Sequence, residues 1–86
     1  MAYIHEICAL ADKFKEDVSF NITKDFKFKI YIKNVFYKTA EDLKTVHHMP
    51  IFGLGWTLED ASNDFFRRSR GGYLYHCITD QMESII

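Results

Sequence analysis

The sequence predicts an α+β fold in which one small antiparallel sheet carries its helices on one face. Three observations support this prediction: apolar residues recur at helical spacing near the start of the chain, at alternate positions over residues 18–32, and at helical spacing again after Thr57. The predicted order is helix, two strands, an optional third strand, helix and strand. No repeat, linker or low-complexity segment divides the chain, so residues 1–86 should form a single compact domain.

Composition and charge narrow the class of protein. Hydrophobic residues make up 48% of the chain and aromatic residues 16%, which supplies the large apolar groups that 86 residues need for a core. The net charge of −1 gives no general attraction to nucleic acid or to an anionic membrane. The two cysteines, Cys8 and Cys77, are too few for a disulfide framework, and no apolar run reaches the roughly 20 residues that span a bilayer. A soluble cytoplasmic protein is expected.

The first element is a helix from Ala2 to Lys15. Its apolar residues recur every three or four positions, which places them on one helical face. This buried stripe is predicted to contain Tyr3, Ile4, Ile7, Cys8, Ala11 and Phe14.

The next segment, VSFNITKDFKFKIYI, predicts a hairpin of two half-buried strands, because its apolar residues alternate with polar ones. A three-residue loop over residues 23–25 would keep the apolar residues of both strands on one face. It would pair Ile22 with Phe26, Phe20 with Phe28 and Val18 with Ile30. Asp25 would then take the left-handed conformation that glycine usually fills.

The polar face of this hairpin has three interpretations. The predicted register gives one exposed stripe, which contains Lys27, Lys29, Tyr31 and Lys33. Such a stripe could follow a nucleic-acid backbone, with Tyr31 as a stacking platform. Lysines on exposed strands also protect against edge-to-edge aggregation, and the face could equally bind a protein.

Residues 34–52 carry weaker signals. Val35 to Tyr37 could extend the sheet, and Thr39 could cap a short helix that ends near Val46. The segment from Met49 to Gly55 fits either a third strand or an extended approach to the next helix.

The second helix has the strongest signals. Thr57 is a typical N-cap residue, and Gly71 is placed to end the helix in the left-handed conformation. Its buried stripe is predicted to contain Leu58, Ala61, Phe65 and Phe66. A strand over residues 73–78 should follow, and residues 80–86 fit a last helical turn or a frayed tail.

Several residues around this helix are candidates for binding a partner. Trp56, just before the N-cap, either covers the end of the core or is exposed as an interface anchor. The helix dipole explains one or two of the arginines near the end, and an acidic partner would use the whole cluster. The predicted partner-binding residues are Trp56, Arg67, Arg68, Arg70, Tyr31 and Tyr73.

No combination of residues predicts catalysis, a cofactor or a metal. Gly53-Leu54-Gly55 lacks the remainder of a phosphate-binding loop, and no nucleophile elbow is present. His76 and Cys77 are neighbours on a strand and should point to opposite faces. The spacing of the histidines and cysteines matches no zinc framework. A non-enzymatic protein is therefore expected.

The run from Gly53 to Phe65, with Gly, Gly, Thr, Glu, Ala, Asp and Phe in G-x-G-x-T-x-E-x-A-x-x-D-F order, resembles a motif of short proteins from phages and mobile elements. It is also similar to the segment that opens the helix in HicB-type antitoxin domains. The resemblance implies a small accessory protein of a phage or mobile element. Together with the lack of a catalytic constellation and the candidate binding residues above, it predicts a monomer or homodimer that binds a protein of the host, with inhibition of a host system, as by anti-CRISPR factors, as the expected role. The alternative is a nucleic-acid-binding module that uses Lys27, Lys29, Tyr31 and Lys33.

Overall fold

The computed structural model describes residues 3–85, which form two α-helices, one short 3-10 helix and seven short strands. In chain order these are α1 (Tyr3–Phe14), β1 (Val18–Ile22), β2 (Phe28–Ile32), β3 (Val35–Lys38), the 3-10 helix (Glu41–Lys44), β4 (Met49–Pro50), β5 (Gly53–Gly55), α2 (Leu58–Ser69), β6 (Tyr73–His76) and β7 (Met82–Ser84). The α+β class is confirmed. Ala2, where the first helix was expected to begin, lies outside the described residues.

The strands form two antiparallel sheets, where the sequence predicted one. The first sheet has the order β1-β2-β5, and the second has the order β4-β3-β6-β7. The chain passes from one sheet to the other in the turn at Lys33 and Asn34, where Asn34 is left-handed with φ of 60°. Asparagine tolerates this conformation better than most residues do. The turn therefore directs Val35 away from the hairpin and into the second sheet.

The predicted hairpin register is wrong by two residues. Val18 pairs with Ile32, and Ile22 pairs with Phe28, so the loop has five residues. The Thr23 N–H donates to the Lys27 carbonyl at 2.9 Å, and the Lys27 N–H donates to Thr23 Oγ1 at 3.3 Å. These bonds favour the longer loop. A shift of two residues leaves every side chain on its predicted face.

The left-handed residue of this loop is also different from the predicted one. Phe26, with φ of 62°, takes the conformation that was expected for Asp25. Its side chain is 81% exposed, so the longer loop places a phenylalanine at the tip of the hairpin.

The core lies between the helices and the sheets. Ile7, Ala11 and Phe14 of α1 are buried, as the spacing predicted. Cys8, which was assigned to the same stripe, is exposed instead. It lies about 100° around the helix from Ile7 and therefore falls outside the buried face.

The predicted start and end of α2 are confirmed. Thr57 Oγ1 accepts a hydrogen bond from the Asp60 N–H at 3.0 Å, and Gly71 follows the helix with φ of 81°. Ala61 and Phe65 are fully buried.

Two other segments differ from the sequence expectation. Between Thr39 and Val46, only Glu41–Lys44 is helical, and it forms a 3-10 helix rather than a longer α-helix. The segment after residue 80 forms β7, which pairs with β6, rather than a helical turn or a frayed tail. The burial of Ile85 explains the ordered end, because it anchors the strand in the core.

The packing of α2 on β5 is very close. A Cβ atom added at Gly53 would lie 1.9 Å from the Ala61 carbonyl oxygen and 2.6 Å from the Phe65 nitrogen. A Cβ atom at Gly55 would lie 2.5 Å from the Ala61 nitrogen. Both glycines are needed because backbone of α2 occupies the space of their side chains.

We predict that Gly53→Ala lowers the free energy of unfolding by about 3 kcal/mol or more, because two backbones would have to separate. Gly71→Ala is the matched control: its added Cβ meets no atom within 4 Å, and only the left-handed φ is unfavourable, by about 1 to 2 kcal/mol. Urea unfolding followed by circular dichroism measures both. Equal losses in the two variants would contradict the close packing.

Candidate functional site

The side of the first sheet that faces away from α2 carries lysines and aromatic residues. Gly53 and Gly55 face α2, so the alternate position between them, and the positions paired with it on β2, face the other way. Residues just outside the strands continue this surface. We call it the lysine–aromatic face, and it consists of Lys27, Lys29, Tyr31, Phe52 and Trp56.

Lys27 and Lys29, at the start of β2, each lie close to aromatic rings. Lys27 Nζ is 5.2 Å from the centroid of the Trp56 ring, and Lys29 Nζ is 4.5 Å from that of Phe52 and 5.9 Å from that of Tyr31. These are cation–π distances. Within residues 3–85, neither lysine forms an ion pair. The rings therefore restrain the lysines while their positive charge stays available to a partner.

Trp56 is exposed, with 65% of its surface accessible. This decides between the two interpretations of its position: Trp56 does not cover the end of the core. The partner for a hydrophobic staple would be Ala61, which is fully buried against Gly53 and Gly55. The indole instead packs on Lys27.

Asp64 connects α2 to this face. Its carboxylate accepts hydrogen bonds from the Leu54 N–H at 2.9 Å and from Arg68 Nε at 2.7 Å, and it also binds the Arg67 guanidinium. The Arg68 guanidinium carbon lies 5.2 Å from the centroid of the Phe52 ring. Phe52 thus has one cation from β2 and one from α2 close to its ring.

The environment of Asp64 also sets its ionisation. Burial alone would raise its pKa, but the Leu54 N–H and the two arginines outweigh burial and lower the pKa below the ordinary aspartate value. Asp64 was not among the predicted site residues. The arginines three and four positions after it were the available signal.

The predicted partner-binding residues do not all lie together. Tyr31, Trp56 and Arg68 belong to or adjoin the lysine–aromatic face. Tyr73 lies in β6 of the second sheet, and Arg70 lines a depression between α1 and α2. Of the predicted nucleic-acid residues, Lys33 lies in the turn after β2. Phe52 was missed because nothing in its local sequence shows that it meets Lys29.

A cleft between the two sheets continues the lysine–aromatic face. It has a volume of about 260 Å³. Its lining includes Asn21, Lys29, Tyr31, Phe36, Pro50 and Phe52. The cleft is slightly smaller than typical sites for drug-sized ligands, and it has room for one protruding side chain or one flat ring.

Two exposed apolar side chains lie next to each other on one face of β1. Phe20 is 47% exposed and Ile22 is 66% exposed, and both belong to the face on which α2 packs. They lie on β1, at the edge of the sheet, whereas α2 packs on β2 and β5. Neighbouring exposed apolar residues often mark an interaction site, whereas apolar residues scattered singly over a surface are normal.

A separate polar cluster joins the segment after α1 to the second sheet. His76 Nε2 lies 2.6 Å from Glu16 Oε2, and His76 Nδ1 accepts from the Thr79 N–H at 3.2 Å. Because the carboxylate oxygen of Glu16 can only accept, Nε2 donates this hydrogen bond. The hydrogen bond with His76, followed by that from Asn34, lowers the pKa of Glu16. The imidazole is almost completely buried, so this cluster fixes the position of β6 relative to α1.

Within residues 3–85, no group of three or more histidine, cysteine, aspartate or glutamate residues could hold a metal ion. In the same range, no helix has the length and apolar character needed to cross a membrane.

Comparison of the chain with protein-family models, curated proteins and solved structures found no match. The resemblance to HicB-type and phage proteins stays a prediction.

We predict that Asp64→Asn lowers the free energy of unfolding by about 1 to 3 kcal/mol near neutral pH, because both arginine pairs are lost. A lowered pKa in the folded protein means that the contribution of Asp64 is complete above about pH 4 and is lost as the pH falls through the folded-state pKa. The variant should therefore lose less stability than the wild type on acidification. Urea unfolding across this pH range measures the difference.

Asp12→Asn, at an exposed position on α1, is the control and should follow the wild type at each pH. Identical acid profiles for the wild type and Asp64→Asn would show that Asp64 does not stabilise the junction.

Proposed function

We propose that this is a non-enzymatic protein that binds another protein through the lysine–aromatic face. The observation that supports this most is the exposure of Trp56 beside Lys27, because a large aromatic side chain next to an unpaired cation is typical of an interface anchor. Tryptophan, tyrosine and arginine are the residues that most often contribute strongly to protein interfaces. Trp56, Tyr31 and Arg68 lie at or beside this face.

The partner should present carboxylates around an apolar depression or ridge. Lys27 and Lys29 have no ion pair within residues 3–85, so an acidic partner would gain new charge contacts without breaking old ones. Their rings hold both lysines near one position, which reduces the entropy lost on binding. Trp56 would supply the apolar anchor, and the adjoining cleft would accept a protruding side chain.

The proposal extends to compartment and biological role. Cys8 and Cys77 are both exposed and unpaired, which suits a reducing cytoplasm. The resemblance of residues 53–65 to phage and mobile-element proteins supports a partner that belongs to a host system, and an inhibitory effect on it, as in anti-CRISPR factors. That resemblance is the only support for the inhibitory role.

We predict that Trp56→Ala weakens the affinity for the partner about tenfold or more, because truncating a central tryptophan typically removes at least 1.4 kcal/mol of binding free energy. The partner is first captured from host lysate with the wild-type protein and identified by mass spectrometry. Dissociation constants of the purified pair then compare the wild type with Trp56→Ala.

Ile78→Ala is the matched control, because Ile78 is 68% exposed, slightly more than Trp56, and lies in the turn after β6. It should bind like the wild type. Equal affinities for all three proteins would contradict the proposed surface, and equal loss in both variants would point to a surface elsewhere.

A second candidate function is binding of single-stranded nucleic acid on the same face. Lys27 with Trp56, and Lys29 with Phe52 and Tyr31, alternate cations with rings on which bases could stack. The net charge of −1 gives no long-range attraction to phosphate, so this function ranks second.

If nucleic acid is the ligand, we predict that Lys29→Gln reduces the slope of log affinity against log salt by about 0.7, the contribution of one phosphate contact to a single strand. Lys44→Gln, an exposed lysine of the 3-10 helix, should leave the slope unchanged. Fluorescence anisotropy with mixed-sequence RNA and DNA oligonucleotides measures both. Absence of binding at low salt would eliminate this candidate.

A further inference from the structure

Among residues 3–85, no strand lies on one side of β1. In the first sheet, β1 is an edge strand that pairs with β2. The Asp17 carbonyl accepts from the Lys33 N–H at 3.1 Å, and the Thr23 N–H donates to the Lys27 carbonyl at 2.9 Å. Odd-numbered residues of β1 therefore turn their backbone groups toward β2. The N–H and C=O groups of the even-numbered residues, at positions 18, 20 and 22, point to the open edge.

This edge lacks the usual protection against pairing. Natural edge strands commonly carry a lysine, a proline or a bulge that blocks a second chain. Val18–Ile22, with the sequence VSFNI, has no charged residue, proline or glycine. Phe20 and Ile22 are also exposed on the face where α2 packs. The edge thus offers free hydrogen-bonding groups beside uncovered apolar side chains.

We infer that the partner of this edge is a second copy of the chain, which pairs with β1 antiparallel around a two-fold axis at Phe20. The two first sheets would then form one six-stranded sheet of order β5-β2-β1-β1-β2-β5. Phe20 and Ile22 of both copies would lie side by side on one face, where they cover each other.

The register follows from two requirements. The apolar side chains must share a face, and the open backbone groups must meet, and both require even-numbered residues to oppose even-numbered residues. Full overlap of the five-residue strands then sets Phe20 opposite Phe20 and Val18 opposite Ile22.

Strand overlap favours the same register. A shift by two residues in either direction would reduce the overlap of the two Val18–Ile22 strands from five residues to three, so fewer open backbone groups would be paired. Because VSFNI contains no charged residue, no like charges oppose each other within the full overlap.

Dimerisation would leave the proposed binding surface open. The lysine–aromatic face lies on the opposite side of the sheet from Phe20 and Ile22, so each dimer would present two copies of it. A partner with two sites would then bind with increased avidity. The dimer does not depend on the proposed function, because Trp56 is not in the interface.

The test measures the molar mass of the purified protein by light scattering after size-exclusion chromatography. The protein concentration is varied over roughly 10 to 500 µM, because dimer formation increases with concentration. The wild type should show twice the monomer mass at high concentration. Phe20→Lys should show the monomer mass, because it places two like charges directly opposite each other. Ser19→Lys adds the same charge to β1 on the other face and should remain dimeric.

Hydrogen exchange of the wild type gives a second measurement that needs no variant. Amides of Ser19 and Asn21 are bonded to β2 and should be protected at any concentration, whereas those of Val18, Phe20 and Ile22 should gain protection only as the dimer forms. A monomer at every concentration, a dimer that persists in Phe20→Lys, or free exchange of the even-numbered amides at high concentration would each overturn the inference.

Discussion

The contact on which this structure depends most is the close approach of α2 to β5. Gly53 and Gly55 have no side chains, so the backbone of α2 at Ala61 lies directly against the strand. Asp64 strengthens the junction by accepting the Leu54 N–H and binding two arginines. In a chain of 86 residues, whose core is small, such a contact fixes the helix and the sheet with few side chains.

The lysine–aromatic face is a consequence of this junction. Because the helix occupies one side of β5 completely, Trp56 and Phe52 have no room in the core and lie against Lys27 and Lys29. Long lysine side chains on a surface normally sample many rotamers, and ring contacts reduce that freedom. The face therefore combines positive charge with fixed geometry, which is what recognition of an acidic partner requires.

Local signals explain which parts of the fold could be predicted from sequence. The cap at Thr57, the left-handed Gly71 and the apolar stripes of both helices depend on neighbours a few residues away. The division into two sheets depends on Asn34 and on pairings between distant strands, and periodicity reports neither. The same distinction applies to the residues of the site. The lysine stripe could be predicted because it is a pattern within one strand. Phe52 and Asp64 could not, because only the tertiary fold brings them to the lysines.

The exposure of Trp56 can be measured directly, because it is the single tryptophan of the chain. Native-state fluorescence should resemble that of the unfolded protein in emission wavelength and in quenching by acrylamide. Iodide should quench it more efficiently than caesium, since the Lys27 ammonium group beside the ring attracts anions and repels cations. A blue-shifted emission that both ions fail to quench would place Trp56 in the core and contradict the lysine–aromatic face.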